Sequence, residues 1–209
     1  MKTDSFGRAI RLAALVLPLT WAPGSAAGQT PAAAKARSFG VSVSTATVNQ
    51  TAPSALLPAD GGTTQDQAGD VSVATFVTAQ DAFAIASGSA DETSSDAMSS
   101  ATLGKVQILG GLISADGIVA MASSTVNNSN ADGSSVANLV VNGVAVADPA
   151  PNTRVDLPGV GYVVLNEQIT SAGGITVNVI HVVLQQPTLL GGYQTTGNII
   201  VGSASSSVN

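Results

Sequence analysis

The sequence predicts an all-β protein that folds as a single antiparallel β-sandwich or jelly-roll-like domain. Only 10% of the residues are charged, so the Glu, Lys and Arg side chains that usually cover helix surfaces are scarce. Val, Ile and Thr, which favour the pleated surface of a sheet, are frequent. Short segments that alternate apolar and polar residues, bounded by Gly, Pro, Asn, Asp or Ser, recur along the chain. Together these observations indicate roughly ten to twelve strands and leave no room for βαβ crossovers.

The first 27 residues have the pattern of a secretory signal peptide. Three cationic residues are followed by an apolar run and then by small residues that end at Ala27. The apolar run has roughly ten residues, whereas a helix that spans a bilayer needs about 20. We therefore expect a signal-peptide helix in residues 1–27, a linker in residues 28–37 and the all-β domain in residues 38–209. The protein is then secreted or displayed at the cell surface.

The alternating segments and the turns between them place the strands. Asn142-Gly143 between apolar runs predicts a type I′ hairpin, and Asp116-Gly117 and residues 171–174 predict two more. Chained hairpins favour a sandwich, and a β-solenoid is the alternative, although the segments have no fixed period. Residues 60–70 and 127–135 are predicted to be polar surface loops. The predicted strands are 39–48, 71–77, 82–86, 106–113, 118–126, 136–141, 144–147, 162–170, 175–184 and 198–201.

Charge and cysteine content exclude several functions. The sequence has 7 Lys and Arg against 13 Asp and Glu, and beyond Ala27 only Lys35, Arg37, Lys105 and Arg154 are cationic. Binding to nucleic acid or to anionic lipid requires several clustered cations, so neither partner is expected. The absence of Cys excludes disulfides, thiolate metal sites and a cysteine nucleophile. No later apolar stretch is long enough for a membrane-spanning helix.

A series of short motifs resembles the bacterial choice-of-anchor P family. The resemblance runs in the family's order over about residues 38–203, and it implies a secreted, surface-associated domain without catalytic residues that can be carried over. Family members differ in a C-terminal sorting signal, and this chain shows none that we recognise, so we expect release or retention by assembly. The motifs are LGGLISADGIVA at 109–120, LVVNG at 139–143, PAPNT at 149–153, LPGVG at 157–161, LNEQ at 165–168 and VNVIHV at 177–182.

No motif predicts catalysis. His181 is the only histidine, and without Cys or a second His it lacks the partners of a triad or a metal site, so we expect a hydrogen-bonded, half-buried strand residue. Asp91, Glu92 and Asp96 form the densest acidic cluster, in a Ser-rich stretch that we expect to be exposed. The sequence therefore predicts a protein that is not an enzyme and has no cofactor.

The best metal candidate is a weak Ca²⁺ loop formed by Asn128, Asn130 and Asp132. Its spacing matches the opening of a calcium-binding loop, but only Asp132 is a carboxylate, and Leu139 stands where a bidentate Glu is expected. An Asx-rich turn is the favoured interpretation.

The sequence therefore predicts a non-enzymatic structural or adhesive protein of the cell surface or extracellular matrix, with homo-assembly or surface components as partners. Charge-poor strands can pair edge to edge with another copy, and residues 175–184 are the most pairing-prone if they lie at an edge. A glycan- or surface-binding module is the alternative, with Tyr162 and Tyr193 as binding platforms. The Phe residues are expected in the core. A hydrolase on a jelly-roll scaffold is a third hypothesis, and it requires two carboxylates facing across a cleft.

Overall fold

The computed structural model describes residues 33–90, 95–189 and 191–209, and this part of the chain is built from strands. It forms one compact unit, and none of its elements is a helix able to cross a membrane. The predicted signal peptide lies outside the described residues. The strands are β1 (Ala34–Thr45), β2 (Asn49–Leu56), β3 (Gly62–Val73), β4 (Val77–Ala90), β5 (Ser95–Leu103), β6 (Val106–Ile108), β7 (Ile113–Ala115), β8 (Gly117–Thr125), β9 (Asn128–Asn130), β10 (Ser135–Ala137), β11 (Leu139–Val141), β12 (Val144–Val146), β13 (Thr153–Leu157), β14 (Gly161–Ser171), β15 (Gly174–Pro187) and β16 (Tyr193–Val208).

The strands form two antiparallel sheets that pack face to face. Sheet A has the order β13-β14-β15-β16-β1-β2. Sheet B has the order β10-β8-β5-β4-β6-β7-β11-β12, with β3 paired to β4 and β9 paired to β8. The prediction of an all-β, antiparallel sandwich is confirmed. A solenoid would instead stack parallel strands, and no described strand pairs in that way.

Two of the three predicted hairpins are present. Asn142 and Gly143 have φ of 49° and 77° between β11 and β12, as a type I′ turn requires. Ser171 pairs with Gly174 at the start of the β14–β15 hairpin. The Asp116-Gly117 prediction is wrong, because β7 pairs with β6 and β11 whereas β8 pairs with β5, β9 and β10. Asp116 instead donates its N–H to Ala137 O and accepts from the Asn138 amide.

The expected loop at 60–70 is wrong, because Gly62–Val73 is the long strand β3. Its polar Thr and Gln side chains are mostly exposed, and its pairing with β4 along its whole length supplies the backbone hydrogen bonds. The predicted strand 71–77 is not one strand, because it contains the end of β3, a turn at residues 74–76 and the first residue of β4. In this turn Ala74 has a φ of 46° and the Phe76 N–H donates to Val73 O. The predicted loop 127–135 contains the short β9, and the linker expected in 28–37 ends earlier, because β1 begins at Ala34.

A transverse row of irregular positions crosses sheet A, and we call it the crease. It consists of Pro53, Gly40, Gly202, Val179 and Asn166, which oppose one another on β2, β1, β16, β15 and β14 and are skipped by the pairing ladders. Gly202 and Asn166 have φ of 68° and 49°, in the left-handed region that Gly and Asn tolerate.

At the crease the set of residues that face the core changes from one alternate set to the other. The pairing register between the strands is the same on both sides of the crease. On β1 the even positions 36 and 38 are buried before the crease, and the odd positions 41 and 43 are buried after it. Sheet B has a matching reversal at Asp81, which has a φ of 49° and lies opposite Gly69 of β3. The sandwich interior therefore has two parts, one on each side of the crease. A strand pattern in which every second residue faces the core holds within each part but not across both.

The larger part of the interior is a core of Val, Ile and Leu between the two sheets, including Val41, Ile113 and Leu165. The smaller part, on the other side of the crease, is lined mainly by Ala and Ser. There Ser38 Oγ donates to Ile85 O, and Ser124 Oγ and Ser206 Oγ lie 2.8 Å apart, so hydroxyl groups bond directly from one sheet to the other. Such contacts require small side chains on both sheets.

Candidate functional site

Among the described residues, the most extensive network of side-chain hydrogen bonds lies on the outer face of sheet A, and we call it the polar cluster. Glu167 of β14, Asn178 of β15 and Ser203 of β16 are direct neighbours in a row across three strands. His181 and Asn178 are three residues apart, so regular alternation would place them on opposite faces. The crease at Val179 lies between them and brings both to the outer face. The members of the polar cluster are Glu167, Asn178, His181, Asn198 and Ser203.

Glu167 is the centre of the polar cluster. Its Oε2 accepts from Asn178 Nδ2 at 2.6 Å and from His181 Nδ1 at 2.9 Å. Ser203 Oγ donates to Asn178 Oδ1 at 2.7 Å. The second ring nitrogen of His181 lies 3.1 Å from Asn198 Oδ1. Because both ring nitrogens face oxygen acceptors, the geometry favours the doubly protonated imidazolium.

The two titratable groups of the polar cluster stabilise each other's charged form. The hydrogen bond from His181 lowers the pKa of Glu167 below 4.5, against the opposing effect of burial. The hydrogen bond to Glu167 raises the pKa of His181 above 6.5, again against burial. The His181 side chain is 18% exposed and the Glu167 side chain is 16% exposed, so water still screens the pair in part.

The hydrogen bonds of the polar cluster join its own members to one another. The Ser203 hydroxyl donates to Asn178, and His181 is engaged at both nitrogens. A serine hydrolase instead needs a hydroxyl donating to a histidine. His181 thus has the hydrogen-bonded, part-buried position expected from the sequence. Its partners were missed, because only the reversal of faces at the crease brings them together.

The weak Ca²⁺ loop is arranged as a local turn. Asn130 Oδ1 accepts the backbone N–H of Asp132 at 3.1 Å, which is the Asx-type bond that such sequences favour. Asn128 and Asn130 lie on β9, where Asn128 pairs with Thr125, and Asp132 is exposed in the following turn. In the described ranges no three acidic or His side chains converge on a common point.

Of the acidic cluster, which was expected to be exposed, only Asp96 lies within the described residues, and it is exposed. Asp91 and Glu92 lie outside the described residues, while Asp96 is exposed on β5 and accepts the Ser89 hydroxyl. The expectation of Phe residues in the core is wrong. Phe39 lies half-buried beneath Arg37, at 5.4 Å from the guanidinium carbon to the ring centroid, and Phe83 and Phe76 are also only partly buried. Phe76 nevertheless packs against the larger core of Val, Ile and Leu.

One of the two predicted platform tyrosines, Tyr193, lines a groove of about 390 Å³ at the β13 edge of sheet A, and we call it the tyrosine groove. Tyr193 is 74% exposed. Tyr162 is not a free platform, because the Arg154 guanidinium carbon lies 3.8 Å from its ring centroid. Arg154 also donates from Nε and Nη2 to Asp156 Oδ1, each at 3.0 Å.

The edges of the two sheets meet at the seam between β2 and β3. Asp66 of β3 bridges it: Oδ2 accepts the N–H of Ser54 on β2, and Oδ1 accepts the N–H of Gln67, each at 2.9 Å. One carboxylate thus binds a backbone amide of each sheet. Sequence analysis assigned Asp66 to a loop and missed this role.

No protein-family model matches the chain, and no curated protein or solved structure matches it. The resemblance to the choice-of-anchor P family therefore stays a prediction.

Proposed function

We propose that the protein is a secreted, non-enzymatic structural and adhesive component of a cell surface or extracellular matrix, which associates with further copies through strand edges. The observation that carries this proposal is that β3 is a long strand at the edge of sheet B. This strand has 12 residues, and among the described strands its backbone ladder is formed with β4 alone. It contains neither Lys nor Pro, the residues that commonly protect an edge.

The other edges of the sandwich are weaker candidates. β12 and β10 have 3 residues each, and β13 has 5 residues between Pro151 and Pro158. β2, the other edge of sheet A, has 8 residues and is interrupted by Pro53. Short edges and flanking prolines limit pairing with another chain. The sequence-based candidate, 175–184, is wrong, because β15 lies between β14 and β16 in the middle of sheet A.

The energetics of edge pairing favour weak association. An intermolecular backbone hydrogen bond contributes about 0.5–1.5 kcal/mol net, and association costs at least about 4 kcal/mol in lost freedom of motion. Several bonds along β3 are therefore needed before two copies associate, and Asp66 reduces the number of free amides at the seam. The expected behaviour is reversible association at high concentration.

Sedimentation velocity on residues 28–209 tests this proposal. We expect the sedimentation coefficient to rise with concentration and electron micrographs to show oligomers or filaments in concentrated samples. A chain that sediments as a monomer at every concentration, with no assemblies in micrographs, would contradict the proposal.

The tyrosine groove favours a second function, a glycan-binding module. An exposed aromatic ring beside a fixed Arg–Asp pair offers a stacking face together with oriented donors and acceptors, as sugar recognition requires. We expect binding on a glycan array to be lost in Tyr193→Ala and retained in Ile169→Ala, an exposed apolar residue elsewhere on sheet A. An array without any bound glycan, or binding unchanged in Tyr193→Ala, would remove this candidate.

A further inference from the structure

A second groove lies on sheet A, beyond the polar cluster and on the opposite side of the crease from the tyrosine groove. Its volume is about 250 Å³. We call it the cationic groove. Its walls carry two cations, one exposed leucine and several hydroxyl groups, among them Lys35, Arg37, Leu56, Thr176, Ser205 and Ser207.

The register of sheet A explains why these side chains share a face. Lys35 pairs with Ser207, and Arg37 pairs with Ser205 on one side and Leu56 on the other. Residues two apart on a strand point the same way, so the two cations project side by side from β1.

The charge distribution makes this groove distinctive. Beyond residue 27 the chain has four cations, and two of them lie here. Arg154 is bound to Asp156, and the groove that Lys105 lines also contains Asp70. Among the described residues, by contrast, no acidic side chain lines the cationic groove. It is therefore a local positive site on an acidic protein.

The Arg37 side chain is oriented by an aromatic neighbour before any ligand binds, since its guanidinium carbon lies 5.4 Å from the centroid of the Phe39 ring. Orienting a long side chain in advance lowers the entropy lost on binding. Arg37 and Lys35 together offer charged donors to an oxyanion, and the Ser207 and Thr176 hydroxyls offer neutral donors and acceptors beside it. The Ser205 hydroxyl donates to the backbone C=O of Arg37 at 3.3 Å and leaves its lone pairs as acceptors.

We propose that the cationic groove binds the carboxylate groups of an acidic polysaccharide. A shallow, open groove fits an extended chain, and hydroxyl-bearing walls match the hydroxyls of sugars. The excess of acidic residues elsewhere repels densely charged polyanions such as nucleic acid, whereas a polymer with one carboxylate per sugar presents a sparser charge. The proposal rests on this groove alone and does not require self-association.

Calorimetric titration of residues 28–209 with an oligogalacturonate tests the proposal, in dilute solution where the protein is monomeric. We expect binding that weakens as salt is added, and an affinity about tenfold lower in the double variant Lys35→Ala/Arg37→Ala. The charge-preserving variant Lys35→Arg/Arg37→Lys should keep most of the affinity. Lys105→Ala, which also removes one cation, should bind as the unchanged protein does.

Several results would overturn the proposal. These are the absence of binding, equal binding of the methyl-esterified oligomer, equal loss in Lys105→Ala, and an affinity for inorganic sulfate equal to that for the oligomer. Equal sulfate binding would identify a site for small anions rather than for a polymer. Since both cations are exposed, the variants should melt like the unchanged protein, and a melting curve verifies that they fold. Failure of binding would leave the sedimentation result on self-association unaffected.

Discussion

The substitution Asp66→Ala tests the seam between the two sheets. In the structure this carboxylate accepts one amide from β2 and one from β3, each at 2.9 Å. Alanine removes both acceptors and leaves two edge amides to water or to another chain. Two hydrogen bonds at an exposed site contribute about 1–2 kcal/mol together. For a domain of this size that loss lowers the melting temperature by roughly 3–6 °C.

The same substitution should increase self-association. The freed Gln67 amide on β3 lengthens the stretch of edge that a second copy can pair with, and removal of a negative charge reduces repulsion between copies. Sedimentation velocity should therefore detect oligomers of Asp66→Ala at several-fold lower protein concentration than for the unchanged chain. Asp70→Ala is the matched control, because Asp70 is an exposed carboxylate on the same strand. Equal effects of both substitutions would attribute the change to charge alone, and no effect of Asp66→Ala would refute the role of the seam.

Three further predictions concern the crease, the polar cluster and the tyrosine groove. Gly202→Ala should lower the free energy of unfolding by about 2–4 kcal/mol in urea melts, since a Cβ there would lie 2.5 Å from Ile118 Cγ2 at a φ of 68°. The control is Gly110→Ala, at a φ of 67° with no atom near the added Cβ, which should lower the free energy of unfolding by only about 1 kcal/mol. A similar loss in both would contradict the packing argument. Glu167→Gln should flatten the pH profile of the melting temperature, and an unchanged profile would show that the Glu167–His181 pair contributes nothing. Tyr193→Ala should leave the melting temperature unchanged while glycan binding is lost, and a large stability change would contradict a binding role.

The sign of the pH dependence follows from the two pKa shifts. The raised pKa of His181 contributes stability that is fully present below pH 6.5 and is lost as pH rises through the folded-state pKa. The lowered pKa of Glu167 contributes stability that is present above pH 4.5 and is lost as pH falls through the folded-state pKa. The pair therefore stabilises most between pH 4.5 and 6.5, by about 1 kcal/mol given its partial exposure.

Alternation and composition were sufficient to predict the fold class and most of the strands. They failed where one segment contains parts of two strands. In 71–77 the turn is made of ordinary residues such as Ala74 and Thr75, which carry no Gly or Pro signal. The segments 106–113 and 136–141 also contain parts of two strands each, and in 106–113 the Gly110-Gly111 signal was not used. They also failed at β3, where both faces are polar because the strand lies at an edge. Its hydrogen bonds to β4, rather than any apolar face, specify it as a strand.

The polar cluster was predictable only in part. The sequence identified His181 as a half-buried strand residue, but assigning its partners requires the faces of β14, β15 and β16. A single positive φ, such as that of Asn166 or Gly202, reverses those faces without changing the register. Asn and Gly are also common in turns, so sequence patterns alone do not distinguish a crease from a turn. The cationic groove was missed for a related reason, because 28–37 was expected to be a linker and β1 in fact includes both cations.

The most direct test of edge association is a cross-linking experiment, which the absence of Cys makes clean. Single cysteines are introduced by Thr63→Cys, Gln65→Cys or Gln67→Cys on β3, and by Thr125→Cys on β8 as a control on the far side of sheet B. Antiparallel pairing of two β3 strands brings equivalent positions near the two-fold axis to within about 7 Å between Cα atoms, the limit for a disulfide. We predict that at least one β3 variant forms a disulfide-linked dimer under mild oxidation at high concentration while the β8 variant stays monomeric. Dimer yields on β3 no higher than on β8 would contradict the account.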